Sequence, residues 1–371
     1  MTKSAPVKAK ATGCLSLPFG EGVRLALNAV PDLAFDGDGF GAVSEGLLER
    51  HDHASTLSSR KPGRGIRTVS LEAGKGDWLD GFDAALEALA VGLDLSGAKP
   101  KAGCAVLVGH LMDRNEGDGL GDSLELERML AALGVKKSSL WLSGKPCKSL
   151  EEAANADVVI SLPHGRKAGR ALAHRLKVRL IETELPFGLD RTRRFVELLG
   201  RELRKGKEAE AFIKTELDDV IPRLEWSVPH AFLNRKFAFA GDPHYGEAFA
   251  ELIAELGGSM TGMVLTAGAH HLGKGASALK DAAGAVFAPE AAAVRAAWDA
   301  GFWKRTDLLV ANTLLLDAVK PETGWLEFGY PSCLTHYLLE EPSLGFQGCL
   351  GFLSKAATET AKGFCAKVGA A

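Results

Sequence analysis

The sequence predicts a multi-domain α/β protein built on parallel sheets, and three observations carry that prediction. Between Ala156 and Thr192, an apolar run (158–162) precedes a segment with Ala168, Leu172 and Leu176 at helical spacing. A second apolar run (178–181) and a Pro186-Phe187-Gly188 turn follow, and a further helix (193–203) leaves the turn. Strand, helix, strand, turn, helix is the unit of a parallel sheet, because parallel neighbours need a crossover between them. The same order returns further on: an apolar run (236–240), a Gly241-Asp242-Pro243 turn, and a helix (245–256) stopped by Gly257-Gly258. Finally, 371 residues at 46% hydrophobic and 25% charged have an ordinary globular composition and the length for two or three domains.

Taken in order, the elements are as follows. The first residues, MTKSAPVKAKATG, are basic but lack an apolar signal core, which reads as a cytoplasmic start. The segment 20–30 reads as a short helix, 36–41 as a glycine-rich loop and 50–67 as a polar stretch. Trp78, Phe82, Leu86 and Leu89 mark an amphipathic helix. A buried strand (105–109) leads into a polar loop (113–118) whose acids either bind a ligand or are solvated, solvation being the simpler reading. Asp122 then reads as an N-cap, with Glu125 completing a capping box for a helix (123–133) that ends at Gly134. A strand near 139–142 and a helix from Ser149 complete this unit.

Residues 206–223 read as a charged helical connection. Beyond the second unit, a strand (263–266) leads to His270-His271 in a glycine-rich loop. Adjacent histidines point apart on most backbones, so a surface loop without a shared metal is expected there. A short strand and helix (286–298) and another strand (306–310), with Asn312 just beyond it, follow. Neither Gly241 nor Gly273-Lys274-Gly275 sits in a G-x-x-x-x-G-K-[ST] frame, so no nucleoside triphosphate site is expected.

Composition excludes some classes of function. A net charge of −3 makes no electrostatic case for nucleic acid or an anionic membrane. No apolar run approaches the roughly 20 residues that a membrane span needs. The six cysteines are scattered without a C-x-x-C pair, a pattern of reduced thiols and not of a zinc ribbon or a ferredoxin run. Ligands in parallel sheets bind at the carboxyl ends of strands, which draws attention to Pro163-His164-Gly165 and Pro186-Phe187-Gly188.

Two glycine motifs carry a family resemblance. Pro186-Phe187-Gly188-Leu189, with Thr192, forms a "P-x-G-hydrophobic-x-x-T" turn. Phe328-Gly329-Tyr330-Pro331 is followed, after thirteen residues, by Gly345-Phe346-Gln347-Gly348. Both patterns and the separation in the second resemble nitrogenase component 1 proteins, most clearly from Gly103 onward and closer to the β-type chains. The resemblance implies an α/β fold of three Rossmann-like domains with parallel sheets flanked by helices. The domains would span 1–103 (cluster-proximal), 104–205 and 206–371, with the last helix returning toward the first domain. It also implies a paralogous component 1 subunit in a hetero-oligomer of α2β2 type. An iron-protein reductase would be the second partner, and that partner, not this chain, would use ATP.

The same resemblance supplies the site residues. Gly13-Cys14 fits the first cysteine of the family's iron–sulfur cluster, whereas the loop 36–41 lacks the second and Cys104 opens a strand where the third should close one. Cys14 is therefore the metal ligand to consider, and a cubane wants four ligands. Either a partner subunit supplies the others, making a shared 4Fe-4S cluster, or the chain has lost that cluster. Between the second pair of glycine turns lie Cys333, a possible cofactor ligand, and His336, where catalytic subunits contribute a histidine to their metal centre. The implied function is a nitrogenase-like oxidoreductase subunit in electron transfer, and the chain's length points to a substrate other than dinitrogen. Two alternatives stay open: a cofactor-assembly scaffold of the same fold and a metal-chelate binding protein.

Overall fold

The computed structural model describes residues 15–18, 24–27, 77–111, 116–143, 147–287, 306–319, 321, 323–330, 332 and 334–369. Cys14, Cys333, and the glycine-rich and polar segments 36–41 and 50–67 lie outside them, as do Asp113 of the polar loop and most of the strand and helix expected at 286–298, whereas that loop's Glu116 is described and bonds His336 and Tyr337 N. Near the start, β1 (Leu15–Pro18) and β2 (Arg24–Leu27) form an antiparallel pair with Leu15 opposite Leu27.

The middle unit is a parallel sheet in the order β4-β3-β5-β6, from β3 (Lys101–Val108), β4 (Lys137–Leu140), β5 (Ala156–Ser161) and β6 (Arg179–Glu182). Its two faces follow the alternation of the strands. Ala105, Leu107, Val158 and Ile160 face one core with Leu126, Met129, Phe195 and Leu199. Those four come from α2 (Gly117–Ala132) and α4 (Leu189–Glu202). Val106, Val108 and Val159 face the other core with Phe82, Leu86 and Leu172, from α1 (Trp78–Gly92) and α3 (Arg166–Leu176). The stripe Trp78, Phe82, Leu86 thus forms the helix expected of it and covers this sheet. A 3-10 helix (Cys147–Asn155) stands where the helix from Ser149 was expected.

Asp122 departs from the expectation. The helix begins five residues earlier, so Asp122 lies inside α2 and caps nothing of its own. Its buried carboxylate accepts the N–H groups of Ser343 (2.5 Å) and Leu344 (2.8 Å), and Glu125 turns the same way, toward Gln347 N at 3.4 Å. Both acids serve the amino end of α10 (Gly345–Gly369), whose first N–H groups have no partner within the helix.

The C-terminal unit is a second parallel sheet in the order β11-β10-β7-β8-β9. Its strands are β7 (Lys236–Gly241), β8 (Ser259–Leu265), β9 (Ala285–Phe287), β10 (Leu308–Ala311) and β11 (Gly324–Glu327). Its helices are α7 (Pro243–Glu255), α8 (Gly275–Ala283) and α9 (Thr313–Val319). The predicted charged connection is α5 (Gly206–Leu224), followed by the short α6 (Ser227–Ala231). Asn312 accepts Leu315 N–H at 3.0 Å and donates to Tyr330 O at 2.9 Å, which joins the end of β10 to the turn after β11.

The two glycine motifs explain themselves in contact. Thr192 donates its hydroxyl to the carbonyls of Gly188 (2.6 Å) and Pro186 (3.1 Å), which pins the turn. Gly345 N donates to Pro186 O at 2.7 Å, so the first motif holds the second. Gly345 has φ +79°, and a Cβ there would stand 2.4 Å from Glu125 Cγ. From that point α10 packs along β11, α2, α4 and α5 among the described residues. Among those residues no helix is long and apolar enough to cross a membrane.

Candidate functional site between the facing strand ends

The carboxyl ends of the two sheets face each other, and histidines collect there. His110 follows β3, His164 follows β5, His244 follows β7, and His270 and His271 follow β8. Two backbone features fix the first pair. Gly109 (φ +87°) and Gly165 pack so closely that a Cβ on Gly109 would lie 2.5 Å from Gly165 N. Pro163 and Pro243 open the turns after β5 and β7 with φ already set for a helical start.

His164 and Asp242 form the centre. Their side chains are fully buried, with His164 Nε2 2.9 Å from Asp242 Oδ2, so the imidazole donates across the junction of the two sheets. Asp242 Oδ1 caps α7, accepting His244 N (2.7 Å) and Tyr245 N (3.0 Å). Burial alone would raise the Asp242 pKa, but the charge and hydrogen bond of His164, then His244 and the Tyr245 N–H, hold it at about 2. The neighbouring imidazoles are kept neutral. Burial, with the His164 charge adding to it, pulls His110 down to about 4. Burial outweighs the attraction of Asp242 and pulls His244 down to about 3.

Polar capacity remains at this centre. The Nδ1 atoms of His110 and His164 are buried and have no hydrogen-bond partner among the described residues. Buried polar atoms normally find partners, so each of these atoms has unused capacity for a ligand or water. Around them Trp78, Phe187, Tyr245, Phe328 and Tyr330 fill the space in tilted and edge-on ring contacts. A cavity of about 60 Å³ lies beside these rings, bordered by Leu111, Asp122, Tyr245, Phe328 and Tyr330 and not by either histidine. That volume suits a few waters, well short of the ~300 Å³ at which small-molecule pockets begin. A wider open groove of about 680 Å³ lies elsewhere, on the outer faces of α4 and α5 between solvated side chains such as Glu210 and Lys214.

At the outer edge of the junction, the loop after β8 differs from expectation. A 3-10 turn (Ala269–His271) brings the two adjacent imidazoles to 4.0 Å between centroids, and both face acids at the start of α1. His271 Nε2 lies 2.8 Å from Asp77 Oδ1 and His270 Nε2 3.1 Å from Asp80 Oδ2. Burial would lower the His271 pKa, yet Asp77 outweighs it and the value is raised. The tight turn removes the divergence that an extended backbone would impose.

His336 lies on the outside of the loop before α10. Its side chain is 68% exposed, and Nδ1 is 2.8 Å from Glu116 Oε1. The buried carboxylate of Glu327 holds the same loop through Leu334 N at 3.0 Å and through Thr335 N. His336 is not brought to the His164–Asp242 centre, and Cys14 and Cys333 lie outside the described residues. The described donors do not fit a cubane cluster: the thiols described are Cys104 in β3 and Cys349 in α10, both single and free. Burial pushes the Cys349 thiol up, away from a ligating thiolate. Of the central residues, His164 was visible in the sequence as a strand-end histidine. His110, Asp242 and His244 were not singled out, although Asp242-Pro243-His244 repeats the Pro-His step of Pro163-His164 after a strand.

The family model for nitrogenase component 1 type oxidoreductases matches residues 49–360. The chain belongs to the nitrogenase component 1 family. Solved structures share the fold of this component 1 chain. One, described as nitrogenase Cp1 at pH 6.5, aligns with TM-score 0.66 at 19% identity, over 86% of this chain and 74% of that one. Another, nitrogenase Cp1 at pH 5, aligns with TM-score 0.59 at 14% identity, over 94% and 81%. No curated protein matches the component 1 chain in sequence.

Proposed function

We propose that this chain is a β-type subunit of a cytoplasmic, nitrogenase-like oxidoreductase complex. A paralogous component 1 subunit completes a hetero-oligomer with it, and an ATP-dependent iron-protein reductase supplies electrons. Family membership supports an oxidoreductase of this kind, since component 1 proteins generally bind iron–sulfur clusters and typically work in hetero-oligomers with a reductase. The observation that carries the β-type reading is the aromatic filling between the facing strand ends, which leaves about 60 Å³. Among the described residues, the cavity beside these aromatic rings is too small for a large metal centre or an organic substrate, and on that ground we place the redox centre at the interface with the partner. Cys14 is the proposed thiolate contribution to that interface. His336, exposed on the loop before α10, is proposed as the residue that reaches the metal centre or substrate, and a substrate other than dinitrogen is proposed. The same filled interior also favours a second reading, a cofactor-assembly scaffold without turnover.

The test is anaerobic co-purification with the partner, iron and sulfide analysis, and electron paramagnetic resonance with and without reductase and ATP. A cubane signal that responds to reductase and ATP, and that Cys14→Ala abolishes or converts while Cys147→Ala and Cys365→Ala do not, supports the enzyme reading. Iron content unchanged in all three variants removes Cys14 from the function, and a complex without iron leaves the scaffold.

A further inference from the structure

The amino end of α1 meets the loop after β8 through Asp77, Asp80, His270 and His271. Each offers one ligand atom, and the four atoms lie within 4.8 Å of one another. His271 Nε2 is 2.8 and 2.9 Å from the Asp77 oxygens, and His270 Nε2 is 3.1 and 3.3 Å from those of Asp80. A tetrahedral ion with ligands at about 2.0–2.1 Å separates neighbouring ligand atoms by about 3.3 Å. The two imidazole–carboxylate edges therefore already have nearly the spacing of a coordination shell, and an ion bound between them would displace the Nε2 protons that now bridge each edge.

We propose that these four side chains bind a divalent first-row transition ion such as Zn²⁺, which clasps α1 to the C-terminal unit. The donor set points to that class. Two imidazole nitrogens favour a borderline ion over Mg²⁺ or Ca²⁺, which take oxygen ligands, and two carboxylates balance its charge. An oriented outer shell is in place. Gly268 N donates to Asp77 Oδ2 at 2.7 Å, Leu79 N and Asp80 N donate to Asp77 Oδ1 at 3.0 and 3.2 Å, and Asp77 N donates to Asp80 Oδ2 at 3.0 Å. His244 stands edge-on to His271 on the inner side of the cluster, with ring centroids 6.3 Å apart.

The clasp would join segments 190 residues apart, beside the Trp78 Nε1 to Thr266 Oγ1 hydrogen bond of 3.3 Å. Isothermal titration of the chelator-treated full chain with Zn²⁺ tests it, alongside the Asp80→Asn variant and a double variant, His270→Gln with His271→Gln. These replacements keep a polar group at each position, so the cap of α1 survives. The wild-type chain binds one Zn²⁺ per chain in the micromolar range or tighter, each variant loses at least about tenfold in affinity, and zinc raises the melting temperature of the wild-type chain alone by about 5 °C. No binding by the wild-type chain below about 100 µM overturns the proposal, as does equal binding by the variants, which places the ion elsewhere. If a variant fails to fold, X-ray absorption of the zinc-loaded wild-type chain decides: a nitrogen–oxygen shell with imidazole scattering supports the site, and sulfur ligands overturn it.

Discussion

His164 and Asp242 join the two sheets through one fully buried hydrogen bond of 2.9 Å, donated by an imidazole at the end of β5 to a carboxylate at the end of β7. Substituting Asp242 by Asn keeps a good helix cap for α7 and removes the charge opposite His164. Breaking a buried pair from one side leaves the other group uncompensated and costs about 3–5 kcal/mol. Urea unfolding at pH 7 measures this, and a loss below about 1 kcal/mol would show that the pair does not hold the sheets together. Asp242 has a depressed pKa of about 2, so its contribution is full above pH ~4 and fades as the pH falls through that value.

Asp122 carries the opposite sign. Burial, opposed by the Leu344 and Ser343 N–H groups, raises its pKa to about 7. A carboxyl raised in the folded state contributes stability that is full below pH ~4 and is lost as the pH climbs to 7. Asp122→Asn should remove that slope, on the order of 2 kcal/mol between pH 5 and pH 8. Unfolding midpoints at the two pH values give the comparison, and parallel losses in both proteins would place the titrating group elsewhere.

Phe187 touches Tyr245, Phe328 and Phe352 with ring centroids 5.6, 5.4 and 4.9 Å away, and it is 1% exposed. Truncation to Ala in such a place costs about 3–5 kcal/mol. Denaturant titration followed by tryptophan fluorescence should register that loss. A cost under about 2 kcal/mol would mean that the rings close over the gap.

Thr192→Val keeps the shape of the side chain and deletes the hydroxyl that binds Gly188 O and Pro186 O. Both carbonyls keep backbone donors, Thr192 N and Gly345 N, so the expected cost is moderate, about 1–2 kcal/mol. An unchanged unfolding free energy would remove the hydroxyl from the account of the turn.

The local part of the architecture was legible because it is written locally. Apolar runs such as 158–162 and 178–181 become β5 and β6 within one or two residues, and the stripe through Trp78, Phe82 and Leu86 becomes α1. What escaped depends on partners far along the chain. Asp122 and Glu125 have capping-box spacing, but their carboxylates serve the start of α10. Asp242-Pro243 reads as a helix start, which it is, while its second oxygen meets a histidine 78 residues earlier. Adjacent histidines diverge on an extended backbone, but the 3-10 turn at His270-His271 faces both rings toward α1. The link from Pro186 to Gly345 shows why the two glycine motifs occur together: one holds the other.

The seating of α10 also bears on how the protein is made. The middle sheet and its flanking helices are complete in sequence by Glu202, but the acids and apolar side chains prepared for α10 wait until residues 343–356 have been synthesised. Leu344, Phe346, Cys349, Phe352 and Leu353 then enter the same core as Phe187, Phe195 and Phe249. Until that segment has been made, the middle unit exposes an apolar seam, the kind of surface that makes a folding intermediate prone to aggregate.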